Sequence, residues 1–237
     1  MKQINRIHVA LTVVSIAVAA APAFVSQPAL ARDPAAAKQV GTIGVLKESH
    51  DVVGTDLKDK ANKTVGKIDD VVVDLESGKI LYLIANPSGT SDHVAIAPTL
   101  VNPPRTGKGL VATVDQAALK AAPKIDLNQT NDLGKGSFVN QLFQAFGLST
   151  DVDVNGSFQN VHRVTALRSK PVKNVSDADF GKLDEVILDF QGAHVPFVIL
   201  THGGASYPIP PNALTLSPDK ANLVTGLDQN ALASAPK

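Results

Sequence analysis

Six carboxylates recur in two matched stretches and are the first candidates for chemistry. Asp69, Asp70 and Asp74 lie in Gly66-Lys67-Ile68-Asp69-Asp70-Val71-Val72-Val73-Asp74. Asp184, Glu185 and Asp189 take the same places in Gly181-Lys182-Leu183-Asp184-Glu185-Val186-Ile187-Leu188-Asp189. Paired acids could serve as general acid and base or hold a hard cation. On an extended strand, however, neighbours point to opposite faces, and Asp70 and Asp74 share a face about 13 Å apart at roughly 3.3 Å per residue. That spacing suits structural or solvent-facing roles. A hydrolase would need a cleft in which Asp70 and Glu185 meet.

The one sharp metal pattern is Asp151-Val152-Asp153-Val154-Asn155-Gly156. Asp151, Asp153 and Asn155 place oxygen side chains at alternate positions before a glycine, as the start of a calcium loop does. The twelfth position is His162 rather than a bidentate Glu, and flanking helices are not evident, so a linker turn is the simpler reading. A calcium-responsive binding module is the alternative. His50, His93, His162, His194 and His202 show no short ligand spacing, and the chain has no cysteine. Thiolate nucleophiles, thiolate metal sites and disulfides are therefore excluded. His202-Gly203-Gly204-Ala205-Ser206 has the look of an oxyanion loop, but no Gly-x-Ser-x-Gly elbow accompanies it, so it is read as a turn. No catalytic, cofactor-binding or metal residue is expected, and the chain is read as a non-enzyme.

The matched acids belong to a longer repeat. The first match is offset by 115 residues, and Asp115 to Lys124 returns as Asp228 to Lys237 at an offset of 113. Two similar small units follow from this. In the first, β-branched runs predict strands at 52–57, 65–75, 80–85, 94–97 and 110–114, with Asp115 capping a short helix. In the second, strands are expected at 167–173, 180–190, 195–201 and 223–225, and Asp228 opens a last helical turn. Pro196 marks an edge or bulge in the second unit's hairpin. Short strands with Gly and Pro at their corners suit a small closed or half-closed barrel.

Between the units, 137–146 reads as a short helix with Ser137 as N-cap and Gly147 past its end. Phe138, Leu142, Phe143 and Phe146 fall on one stripe with Val139. The stripe could wedge the units together by packing on a barrel; its other use is as a partner-docking helix, and these four are the partner-binding candidates.

The start of the chain reads as an address. Lys2 and Arg6 precede an almost wholly apolar run at 7–25, and Ala29-Leu30-Ala31 precedes Arg32. This predicts a signal peptide over 1–31 cleaved after Ala31, and a periplasmic or secreted protein. A retained anchor would use the same run; Pro22, Pro28 and the Ala-x-Ala site favour cleavage and no stable membrane insertion afterwards. Without Lys2 and Arg6 the chain carries 20 basic and 22 acidic groups, and it lacks Trp. Neither nucleic acid nor an aromatic sugar platform is indicated.

The run Gly66 to Asp74, the turn at Gly78, Tyr82, Pro98, Leu100 and the Leu119-x-x-Ala122-Pro123 tail resemble a PRC-barrel domain. The second unit is similar through Phe180 to Val186, Asp189, Gly203-Gly204 and Pro210-Pro211-Asn212-Ala213-Leu214. The resemblance implies a mainly β chain of two tandem PRC-type barrels joined by a linker with a short helix. The spans are a flexible leader at 32–47, barrels at 48–125 and 161–237, and a linker at 126–160. Members of that family act as docking and assembly modules, which implies non-enzymatic binding to an envelope protein of unknown identity.

Overall fold

The computed structural model describes residues 44–128, 133–228 and Leu232. The expected leader, most of the 32–47 stretch and the helical turn after Asp228 lie outside those residues. Every described residue belongs to one unit, Gly41–Lys237.

The first half enters through β1 (Leu46–Glu48) and a single 3-10 turn, then β2 (Asp56–Lys58). Two long strands follow, β3 (Thr64–Asp74) and β4 (Lys79–Pro87), rich in Val and Ile as a half-buried pleated surface requires. Three short strands complete the set: β5 (Val94–Ile96), β6 (Val101–Asn102) and β7 (Leu110–Ala112). Asp115 caps helix α1 (Gln116–Ala121) by accepting the Ala118 amide at 2.8 Å. Helix α2 (Gly136–Ala145) stands between the halves.

The second half repeats the order with β8 (Val161–Arg163), helix α3 (Val164–Leu167), β9 (Pro171–Asn174) and β10 (Asp179–Asp189). It continues through β11 (Val198–His202), β12 (Ala205–Ile209), β13 (Leu214–Leu216) and β14 (Leu223–Thr225). The chain is mainly β, in two seven-stranded sheets. The strands run β5-β4-β3-β2-β7-β6 in one and β12-β11-β10-β9-β14-β13 in the other. One parallel pair occurs at the same place in each, β2 with β7 and β9 with β14. A 3-10 turn carries each half from one edge strand to the other, at Pro98–Leu100 and at Pro211–Ala213.

The seventh strand of each sheet comes from the opposite half. β1 pairs antiparallel with β10, Leu46 facing Asp189 and Glu48 facing Ile187. β8 pairs antiparallel with β3, Val161 facing Asp74 and Arg163 facing Val72. The offset of 115 residues carries each of these pairs onto the other. The exchange is therefore reciprocal and in the same register. One apolar cluster runs through both halves, from Ile68, Val71 and Leu83 to Phe180, Val186 and Leu200. A shared core gives two small units more buried surface than either holds alone.

Both long strands carry the same irregularity. Register shifts between Ile68 and Asp70, and between Leu183 and Glu185, leave Asp69 and Asp184 as the extra residues of matched bulges. The bulge lets Ile68 and Val71 face the core together although they are three apart, and Leu183 and Val186 do likewise.

Some elements differ from the sequence reading. The strand expected at 52–57 is mostly turn, and only Asp56 and Leu57 of it are extended, in β2. The strand expected at 167–173 is split into the end of α3 and β9, because the lead of this half has crossed to the other sheet. Lys135, not Ser137, precedes α2, and no side chain caps it. Pro196 lies in the irregular stretch before β11.

The repeated glycine marks a close approach of two backbones. A Cβ at Gly66 would stand 2.8 Å from the Asn86 carbonyl oxygen, and one at Gly181 only 2.2 Å from that of Thr201, where φ is also +101°. Gly181→Ala is expected to cost about 2 kcal/mol or more, through both clash and backbone strain. Gly66→Ala, with no left-handed φ to violate, should cost less. Thermal unfolding of the two variants checks the ranking.

Candidate functional site

Each of the four buried repeated carboxylates takes one set of hydrogen bonds locally and another from the opposite half. Asp70 accepts the Val71 amide at 2.9 Å, the Thr165 amide at 3.2 Å and the Thr165 hydroxyl. Thr165 is in the first turn of α3, whose leading amides have no partner within the helix. Glu185 accepts the Val186 amide at 2.9 Å, the Ser49 amide at 3.0 Å and the Ser49 hydroxyl. Asp74 takes the Ser77 amide at 2.9 Å and the Asn160 amide at 3.3 Å. Asp189 takes those of Gln191 at 3.0 Å and Gly44 at 3.5 Å. Asp70 and Glu185 thus turn to the opposite half's lead segment rather than to one another. Asp69 pairs with His93 at 3.1 Å, and Asp184 is exposed.

The two clasps differ in their surroundings. Glu185 also meets His50 Nδ1 at 2.7 Å and Arg168 at 3.6 Å. The same His50 nitrogen lies 3.2 Å from Glu48, and Nε2 lies 3.4 Å from Asp51, which Lys108 reaches at 3.0 Å. Glu48, His50 and Glu185 present donor atoms within 4.8 Å of one another, the set among the described residues that could converge on a metal ion. Arg168 already places a positive charge against it. Sequence spacing could not reveal this cluster, since His50 and Glu185 are 135 residues apart and meet only through the exchanged strand. At the other clasp, burial raises the Asp70 pKa, against the hydrogen bonds of Thr165 and Val71 and the Arg163 guanidinium.

The partner-binding candidates lie on the outer face of the first sheet. Leu142 is fully buried there with Val139, Tyr82, Leu81 and Ile84, and Phe138, Phe143 and Phe146 pack half-buried around them. Tyr82 and Phe138 meet edge to face at 5.4 Å, and the Tyr82 hydroxyl donates to the Leu133 carbonyl at 2.9 Å.

The calcium candidates sit in a turn docked beneath α2. Asp153 accepts the Asn155 amide at 2.9 Å, which is an Asx turn, and Asp151 faces Lys79 at 3.8 Å. Asn140 secures the loop by donating to the Val152 carbonyl at 2.8 Å. Gly136 leaves room for it, since a Cβ there would stand 2.0 Å from the Asp153 carbonyl oxygen.

His162, on β8, meets the Asn160 side-chain oxygen at 2.7 Å. Burial lowers its pKa to about 4; Asp74 opposes that shift, while the charges of Lys170 and Lys220 add to it.

These features define a mainly β protein of two sheets with one strand order, clasped by exchanged lead strands. Residues 45–112, from β1 through β7, match the family model of the PRC-barrel domain. No curated protein matches the chain.

Two pH effects of opposite sign follow. The raised pKa of Asp70 means its contribution to stability is greatest below its ordinary value and declines as pH rises through the raised one. Asp70→Asn should therefore gain on the wild type from acid to neutral pH, whereas Asp70→Ala, which strands the Thr165 amide, should cost about 2–4 kcal/mol. The lowered pKa of His162 removes stability as pH falls from 6.5 to about 4. His162→Gln should abolish that part of the acid sensitivity, and unfolding midpoints across the range measure both.

Proposed function

We propose that this chain is an exported, non-enzymatic docking and assembly module of the bacterial cell envelope, built of two tandem PRC-type barrels. The observation that carries the reading is the PRC-barrel match over residues 45–112, repeated in strand order and exchange register by β8 through β14. The use of the repeated acids supports a non-enzymatic role. Asp70, Asp74, Glu185 and Asp189 accept backbone amides, so their lone pairs are engaged in holding the chain together. Among the described residues no helix is long and apolar enough to cross a membrane. The apolar run at 7–25 with Ala29-Leu30-Ala31 supports export through a cleaved leader.

The partner in this reading is an envelope protein, met through strand edges and loops or through the exposed side of α2. The edge strand β12 carries Pro208, which cannot donate to a further strand and limits pairing along that edge.

The test begins with the cell. Tagged protein is recovered from the periplasmic fraction and its N-terminus sequenced, and a start at Arg32 is the expected result. Crosslinking in living cells should then capture a reproducible envelope protein, and that capture should fail, with the thermal unfolding midpoint unchanged, when Phe138 and Phe143 are replaced by Ala. Retention of the chain in the cytoplasm would refute the address. Absence of any capture above a leader-only control would refute the docking role.

A further inference from the structure

The exchanged strand β8 forms one wall of a groove of about 540 Å³, completed by the 133–135 and 157–160 segments and by the turn after β13. That volume falls in the range of small-molecule sites, roughly 300–1,000 Å³. Its lining divides by chemistry. Leu133, Phe158 and Leu216 supply an apolar surface, whereas Lys135, Arg163, Lys170 and Lys220 bring cationic side chains. No carboxylate occurs among the described lining residues. The acids nearby are engaged elsewhere. Asp219 folds back on the Ser217 hydroxyl and the Ala221 amide, and Asp74 binds the Ser77 and Asn160 amides. Asp70 is the exception: it accepts from Val71 and Thr165 and also pairs with Arg163 Nε at 4.0 Å, so Arg163 is shared between the clasp and the groove.

One of the cations is also held in place. Lys170 Nζ donates to the Lys220 carbonyl at 2.6 Å, which ties the two residues together across the groove's edge. Both act on His162, a third lining group, in the direction that keeps its imidazole neutral. The groove's lining thus combines cationic residues, an apolar surface and a neutral imidazole.

We propose that this groove binds a small anionic amphiphile, its phosphate or carboxylate head between Arg163, Lys170 and Lys220 and its apolar body on Leu133, Phe158 and Leu216. The planar guanidinium offers paired donors to an oxyanion, and the two ammonium groups add charge-assisted bonds. Neither a strand partner nor an enzyme activity is required, so the proposal stands apart from the docking role.

Octyl phosphate, as monomer, is the probe, titrated into the purified protein and followed by amide spectra. Saturable shifts confined to residues 133–135, 157–170 and 215–220 are expected, with inorganic phosphate binding more weakly and octyl glucoside not at all. Bound octyl phosphate should raise the His162 pKa from about 4, because an adjacent anion favours the imidazolium. The pair Lys170→Gln and Lys220→Gln should weaken binding at least about tenfold. Lys220→Gln alone, at an exposed turn, gives the same comparison should the pair disturb the fold. The proposal is overturned by no saturation at millimolar octyl phosphate, by equal affinity in the lysine variants, or by equal affinity for octyl glucoside. Equal affinity for inorganic phosphate would overturn the apolar half of the site. Sedimentation with phosphatidylglycerol vesicles without monomer binding would overturn the groove in favour of a membrane surface.

Discussion

A carboxylate taken out of water must be supplied with donors, and here the donors are backbone amides of the opposite half. Asp70 is matched to Thr165 and Glu185 to Ser49, each acid on a long central strand and each amide just past an exchanged lead strand. Burial of the acid and docking of the lead are therefore one event. Without the lead, the carboxylate would be desolvated with only its local amide; without the carboxylate, the first turn after the lead would lose an acceptor. Neither half is complete alone, and the shared apolar cluster follows from that closure.

The bulges at Asp69 and Asp184 let the long strands carry this arrangement. An unbroken strand alternates strictly, so an acid one residue before an inward Val would share no freedom of aim with its neighbours. The extra residue resets the alternation, keeps Ile68 with Val71 and Leu183 with Val186 in the core, and lets Asp70 and Glu185 reach the opposite lead. Helix α2 then covers the outer face of the first sheet, where Tyr82, Leu81 and Ile84 would otherwise meet water. The linker's aromatic residues are accounted for largely by that cover.

On this symmetric frame the matched positions have diverged in chemistry. Lys47 and His162 occupy equivalent places in the two lead strands. The lysine reaches the Gly107 carbonyl at 2.9 Å, while the histidine is held neutral beside a cationic groove. Around Glu185 gather His50, Glu48 and Arg168, whereas Arg163 is the charged neighbour of Asp70 among the described residues. The matched acids keep the same role in both halves, while the positions around them differ in chemistry.

Much of this was legible in the chain itself. Runs of Val and Ile bounded by Gly and Pro gave away β3, β4 and β10, and Asp115 capping α1 needed only local chemistry. The repeat announced two like sheets and warned that the recurring acids serve the fold. Short strands such as β1, β6, β8 and β12 carry too few residues for a periodic signal. Local sequence thus determined which segments extend and turn, because backbone preference and alternation act over a few neighbours. Which sheet each lead strand joins, and hence the Glu48–His50–Glu185 cluster and the groove beside His162, was decided only by tertiary structure. The clasp contacts that fix those choices join residues 86 to 145 positions apart, and their energy comes from burying charge and apolar surface together, which no local pattern encodes.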